Sequence, residues 1–445
     1  MKIGLQKSLK RPHHPAFQLR LKKITNVLVS LNPVNQNLIE ILRKERLILE
    51  NDLKSDSRLT VYVGVYNGVK YLDGVEKFLN SSSLHEFNLV IVDNSSTDGS
   101  WDVLMNWVET FAVPTKVVRN PINLGGGGGF ELNKDLLQTE WVTFIHQDDK
   151  YEASHLDTLY SAAIRSSSEV IAISTEMGSM REDGSPIHSI ARPIWLADST
   201  NKANFFLANL RTHLVPWGST IFKTKEFLSI ELPWHSSAFP DTELLLRLCA
   251  KGNFINLPVQ TMSYRENLVS ESHGLSGDER DLAIVAALSR IFASPEFIDI
   301  ARTVDVERRQ DFYQAVKDGI ALRLKRSELR SVAELIAEES LLIAWNYTNA
   351  ELVGDVSSRY GEMGSNRVSE LLDSILAHVG EFEPGRKKLI PQAPPNEFKD
   401  LLVPERRALN LFLKLFPYSQ RRKFLKALLW LKVRTKKNHP NDFRW

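Results

Sequence analysis

The sequence predicts an α/β protein with a mostly parallel sheet, followed by a helical region. Three observations predict it. Five short apolar runs rich in β-branched residues recur between residues 59 and 175, separated by stretches of helical spacing, which is the pattern of βαβ units. The runs are near-continuous rather than alternating, as expected for strands covered on both faces. After about residue 280 these runs stop and apolar residues recur at helical intervals instead.

Taken in order, residues 1–58 read as a basic, proline-containing lead into a helix around "NQNLIEILRKERLILENDL". "LTVYVGVYN", "EFNLVIVDNSS", "TKVVRNPIN", "WVTFIHQDD" and "SEVIAIST" are the strands, each but the last ending in turn-forming residues. "VKYLDGVEKFLNSS" and "GSWDVLMNWVETFA" are helices between them, and a third helix starts at about Phe130, after a run of glycines. "DLAIVAALSRIFAS", the long stretch from "DFYQAVKDG" to "NYTNAEL", and "RVSELLDSILAHVG" are later helices. A Pro-rich connector, "EPGRKKLIPQAPPNEF", precedes a last segment that includes "FLKLFPYSQRRKFLKALLWLK". The expected division is 1–58, 59–280 and 281–445.

Composition narrows the function. Hydrophobic residues at 43% and charged residues at 25% exclude a disordered chain. With 56 basic and 54 acidic residues the net charge is +2, which argues against a general polyanion binder, and no nucleic-acid recognition module is visible. The charge is uneven: residues 1–30 hold seven Lys/Arg and no Asp/Glu, and residues 401–445 hold twelve basic against two acidic. Both ends are thus suited to local contact with anionic surfaces. Cys249 is the only cysteine, so no intramolecular disulfide can form, which fits a reducing compartment. Its helical apolar context reads as core. Without an apolar signal core or about 18 uninterrupted apolar residues, the expected location is cytoplasmic.

In open α/β sheets ligands bind at the carboxyl ends of strands, and polar residues gather there. The first strand ends in Tyr66-Asn67, the second in Asp93-Asn94-Ser95-Ser96-Thr97-Asp98-Gly99-Ser100, and the fourth in His146-Gln147-Asp148-Asp149. The third is followed by "NPINLGGGGGFELN", with five glycines from Gly125 to Gly129. A slack linker there would interrupt one domain. The glycines instead place bare backbone N–H groups at a helix N-terminus, where anions are favoured, with Asn123 fixing the turn.

"VYVGVYNG", "VIVDNSSTDGS", "NPINLGGGGGFELN" and "FIHQDD" resemble, in order and spacing, the nucleotide-binding half of family 2 glycosyltransferases with the GT-A fold. The resemblance covers roughly 59–280 and is closest to the rhamnosyl- and galactofuranosyltransferase-like branch. It implies an inverting hexosyltransferase that uses a nucleotide-diphosphate sugar and a hydroxyl of a cell-surface polysaccharide or lipid-linked glycan. It places Tyr66, Asn67, Asp93, Asn123, Gly125, Gly126 and Asp148 on the donor. Asp148 and Asp149 would hold a divalent ion, Mn²⁺ or Mg²⁺, although His146 stands where the family carries the first aspartate of its Asp-X-Asp motif. His146 is then either a further ligand or a ribose or phosphate contact, and His273 in "SESHG" would complete the metal site. Turn and helix capping is the rival reading for Asp93 and Asp98, and the preferred one for Asp98.

"AFPDTELLLRLCAKG" resembles the acceptor-side motif, with Pro240 in place of its first Asp. The resemblance makes Asp241 the general base and Glu243 an acceptor contact, while both also suit a helix N-terminus. Trp217, before a predicted strand, is read as an acceptor-side aromatic or a core residue. The segment holding Arg421, Arg422, Lys423 and Lys426 reads as a basic amphipathic helix lying on an anionic membrane, or packed on its own domain or a second subunit. Two rivals remain: a non-catalytic nucleotide-sugar-binding or scaffolding protein on a decayed fold, motivated by His146 and Pro240, and a sugar-nucleotide pyrophosphorylase. The latter expects glycines directly after the first strand.

Overall fold

The computed structural model describes residues 36–54, 56–187, 198–212, 215–232, 239–266, 277–324 and 326–345. The chain divides into two units at 386/387, and all the described residues lie in the first.

The described chain opens with α1 (Gln36–Lys44) and β1 (Leu47–Glu50). The βαβ core follows: β2 (Leu59–Val65), α2 (Val69–Ser81), β3 (Asn88–Asp93), α3 (Ser100–Thr110), β4 (Thr115–Arg119), α4 (Gly125–Asn133) and β5 (Trp141–His146). The next elements are β6 (Lys150–Tyr151), α5 (His155–Arg165), β7 (Val170–Met180), β8 (Pro186–Ile187), α6 (Lys202–Thr212), β9 (Thr220–Lys223), α7 (Thr224–Leu228), α8 (Pro240–Leu248) and β10 (Asn253–Arg265). Four helices close the described region: α9 (Gly277–Phe292), α10 (Pro295–Arg302), α11 (Arg309–Arg323) and α12 (Ser327–Trp345).

The ten strands among the described residues form one sheet in the order β1-β4-β3-β2-β5-β9-β7-β10-β6, with β8 paired to β7. The block β4-β3-β2-β5 is parallel, as is the β7–β10 pair. Beyond these the sheet is mixed: β1, β6, β8 and β9 pair antiparallel. The expectation of a mostly parallel sheet holds, since the longest ladders are parallel and the antiparallel pairings are short. The antiparallel strands are two to four residues long, too short to show a periodic pattern. In β10, Pro258 lies where the β7 register shifts between Leu257 and Gln260, which hides its strand signature.

Alternate residues of β2 serve opposite faces. Leu59, Val61, Val63 and Val65 share a core with Leu72 and Phe78 of α2, Leu104 and Trp107 of α3, and Leu156 of α5. Tyr62 belongs to the second core, with Phe144, Phe206, Phe222 and the later helices. That core continues through Leu288, Phe292, Phe312, Ile320, Val332 and Trp345, so helices beyond residue 280 close one face of the sheet. Residues on both sides of position 280 contribute to this core. Before residue 59, among the described residues, β1 extends the sheet from β4, and α1 packs on α4 through Ile39, Leu42, Leu124 and Leu132.

Candidate active site

The parallel block brings the ends of β2, β3, β4 and β5 to one edge of the sheet, and hydrogen bonds tie these ends together. After β2, Asn67 takes a positive φ of 47°. Its N–H donates to Ser96 Oγ at 2.9 Å, and its Oδ1 accepts the Thr97 N–H at 2.8 Å. After β3, Asp93 is fully buried and its carboxylate accepts the Ser96 N–H at 3.1 and 3.3 Å, with Arg119 Nε 3.5 Å away. Burial raises its pKa above the ordinary carboxylate value, against the Ser96 bonds and Arg119. Asp93 thus serves the turn directly, and any donor contact has to share it. Asp98 caps as expected, accepting the N–H groups of Val69 and Ser100 at 3.0 Å each.

The glycine run is itself helical. α4 starts at Gly125 rather than near Phe130, with Gly125 in the left-handed region at φ +73°. Five glycines disfavour a helix by on the order of 5 kcal/mol relative to alanines, so its geometry comes from outside. Buried amides supply much of it. Asn94 Nδ2 donates to Asn123 Oδ1 at 2.7 Å and to the Gly125 carbonyl at 2.9 Å. Its Oδ1 accepts Asn120 Nδ2 at 3.0 Å and the Leu124 N–H at 3.3 Å. Asn133 Nδ2 reaches Asn120 Oδ1 and the Gly129 carbonyl, both at 2.8 Å. Asn123 Oδ1 also accepts the Gly125 N–H at 2.8 Å, the turn-fixing contact expected of it. A Cβ on Gly129 would lie 3.1 Å from Asn94 Oδ1, so a side chain there would press on the amide network. Gly126 is exposed at the start of the helix.

The loop after β5 is held on both sides. Gln147 brackets the Tyr66 backbone: its Oε1 accepts the Tyr66 N–H at 3.0 Å and its Nε2 donates to the Tyr66 carbonyl at 3.1 Å. The Tyr66 side chain is exposed. The Asp149 side chain is 1% exposed; Oδ1 accepts the Arg265 N–H at 2.8 Å, and Oδ2 lies 3.1 Å from His146 Nδ1. Arg265 Nε donates to the Asp148 carbonyl at 2.6 Å. Both Asp149 oxygens thus hold the loop, and a metal ion there would have to share them. Burial favours neutral His146, but the hydrogen bond and charge of Asp149, with Asp148 and Asp241 adding, raise its pKa.

Burial, and then the charge of Asp149, raises the pKa of Asp148. Among the described residues no group of three His, Cys, Asp or Glu side chains forms a ready metal site, and His273 lies outside them. A hard divalent ion bound by one or two carboxylates plus phosphate oxygens needs no such protein cage. Asp148, a carboxylate under anionic repulsion, fits that demand.

Asp241 begins α8, with Pro240 at the first helical position. Its negative charge adds to the effects that raise the His146 pKa and opposes the burial that lowers that of Arg323 at the end of α11. Arg323 donates to the Leu210 and Asn209 carbonyls at 2.6 and 3.0 Å. Glu243 is fully buried in a two-bonded ion pair with Arg290. Glu243, expected as an acceptor contact, stands in an interior ion pair joining α8 and α9. Trp217 is half-buried among Phe144, Phe222 and Phe227, with ring centroids 5.0–5.6 Å apart. The next residue, Gly218, lies against the loop: a Cβ there would be 3.3 Å from His146 Nδ1. Cys249 is buried, as expected, and burial pushes its thiol pKa up.

Sequence reading missed Asn94, Gln147 and Arg265 as organisers of this edge. The first two lie inside the motifs, and the amide partners of Asn94 depend on strand adjacency. Among the described residues no helix is long and apolar enough to cross a membrane, and the basic C-terminal segment lies outside them.

Residues 60–227 match the family model described as "Glycosyl transferase family 2". Teichoic acid poly(glycerol phosphate) polymerase of Staphylococcus epidermidis is 24% identical over 116 residues, 26% of this chain and 16% of that protein, so the match spans a small part of the polymerase. Among solved structures, residues 1–349 of S. aureus TarS in complex with UDP-GlcNAc align at TM-score 0.44 and 15% identity, over 68% of this chain and 92% of that one. A mannosyltransferase from Pyrobaculum calidifontis in complex with GDP-Man and Mn²⁺ aligns at 0.38 and 12%, over 80% and 97%. On the family match, residues 60–227 form a region similar to the glycosyl transferase family 2 domain.

Proposed function

We propose that the chain moves a hexose, with inversion, from a nucleotide-diphosphate sugar to a hydroxyl of a cell-surface polysaccharide or lipid-linked glycan. One observation carries the reading: the β2–β5 strand ends, the start of the glycine helix and Asp148 share one sheet edge. The donor diphosphate is read as lying at the N-terminus of α4, where N–H groups and the helix dipole favour an anion. Tyr66, Asn67 and Asp93 serve the nucleoside side of the donor. Asp148 would hold a divalent ion, whose chemistry when bound is to neutralise charge on the diphosphate.

Asp241 is the proposed general base. As the acceptor oxygen forms its bond to the anomeric carbon, the bond from that carbon to the phosphate oxygen breaks. The electron pair leaves with the nucleoside diphosphate, and the hydroxyl proton passes to the Asp241 carboxylate. Trp217 offers an aromatic face on the acceptor side. A cell-wall acceptor draws support from the similarity to a teichoic acid poly(glycerol phosphate) polymerase.

The test is a panel of UDP- and GDP-sugars with Mn²⁺ or Mg²⁺, assayed for hydrolysis and for transfer. Donor turnover by the wild type, with Asp241→Asn binding donor but not transferring, is the expected result. Full transfer by Asp241→Asn removes the base assignment, and no turnover of any donor favours a binding protein.

A further inference from the structure

α4 meets the rest of the chain at its far end in a way that its composition makes necessary. Five of its nine residues are glycine, and its last carbonyls, like those of any helix, lack partners within it. Two arginines of the segment preceding the family-matched residues take those carbonyls. Arg43 Nε donates to Leu132 O and its Nη2 to Glu131 O, both at 3.2 Å. Arg46 Nη1 donates to Leu132 O at 2.9 Å and Asn133 Oδ1 at 3.0 Å. The Arg46 guanidinium is also forked onto Asp135, with both distances 2.9 Å, and its side chain is 6% exposed. Ile39 and Leu42 of α1 meanwhile pack on Leu124, at the start of the glycine helix, and Leu132, near its end.

We propose that Arg43 and Arg46 are positioning residues that hold the glycine helix in its anion-receiving form and thereby set donor affinity. The inference rests on the reading that the N-terminus of α4 faces the donor diphosphate. A cation at the C-terminus complements the dipole that an anion complements at the other end. The brace reaches the helix from its carboxyl end and through Leu124, and so leaves the exposed Gly126 clear. A helix of this composition would otherwise populate open forms, and apparent affinity falls in proportion to the competent fraction.

The experiment uses the full chain, with UDP and GDP plus Mn²⁺ as equilibrium-binding probes and hydrogen exchange over residues 125–133 as a structural readout. Arg43→Ala/Arg46→Ala is expected to speed exchange there and weaken nucleoside diphosphate binding about tenfold, as follows if the ordered fraction falls about tenfold. At saturating donor, kcat should change far less than KM. Arg46→Lys should recover part of the affinity, and Arg58→Ala, which removes an exposed pair with Glu140, should leave both readouts unmoved. If the double variant does not fold, Asp135→Asn loosens the same fork and should shift affinity in the same direction. Faster exchange with unchanged affinity overturns this inference alone. Failure of the wild type to bind either nucleotide overturns the donor reading and this inference together.

Discussion

Asp149 and Arg265 lie 116 residues apart in sequence, yet the Asp149 carboxylate accepts the Arg265 backbone N–H at 2.8 Å while Arg265 Nε donates to the neighbouring Asp148 carbonyl at 2.6 Å. The end of β10 thus fixes the loop after β5 and leaves two adjacent carboxylates with different work. Asp149 →Ala would remove a buried acceptor and leave the Arg265 N–H without its partner. Its expected cost is about 2 kcal/mol of stability, read by urea unfolding. Asp148→Ala removes a carboxylate repelled by Asp149, so stability should hold while the metal dependence of activity disappears. Equal stability losses in both variants would refute this division.

The same contrast applies at the start of α8. Glu243→Gln would leave the nearly buried Arg290 without its counter-charge, and breaking such a pair costs on the order of 3 kcal/mol or more. Asp241→Asn should unfold with the wild-type midpoint and fail only in transfer. If Glu243→Gln keeps stability and raises the acceptor KM selectively, the interior ion-pair account is wrong.

In the glycine helix, the position should decide the phenotype. Gly125 needs φ +73°, so Gly125→Ala should cost about 1 kcal/mol through backbone strain. Gly129→Ala would crowd Asn94 Oδ1 at 3.1 Å and should lower the thermal midpoint by disturbing the amide network. Gly126→Val, at an exposed position, should weaken nucleotide binding more than stability. A Gly126→Val variant with normal binding and a lowered midpoint would make the run purely structural.

How much of this was legible depends on distance along the chain. The β2–β5 block and its polar ends could be read because a strand and the turn after it are contiguous, and parallel pairing then collects the ends. The helix start at Gly125 could not, because propensity argues against five glycines and the stabilising partners, Asn94 and Arg46, come from other elements. Nor could the Glu243 role: its partner Arg290 is 47 residues away, and the local pattern shows only a good helix N-terminus. β6 and β9 are too short for any period to emerge.

His155 provides a pH test of the fold, separate from the donor site. Its ring is fully buried, tilted against Tyr151 and edge-on to Phe78, with Nδ1 2.7 Å from Thr261 Oγ1 and no hydrogen-bond partner for Nε2 among the described residues. Burial lowers its pKa to about 3, from an ordinary value of 6.5. Between these values the unfolded chain binds a proton that the folded chain refuses, so stability falls as pH falls from 6.5 toward 3 and is fully present above 6.5. At pH 5 the loss is on the order of 2 kcal/mol, one pKa unit being worth about 1.4. His155→Gln has no such proton to bind. Its urea midpoint should be lower than wild type at pH 7, and the gap should narrow or reverse by pH 5. A constant gap across that range would mean the ring accepts a proton in the folded state, contrary to its buried setting.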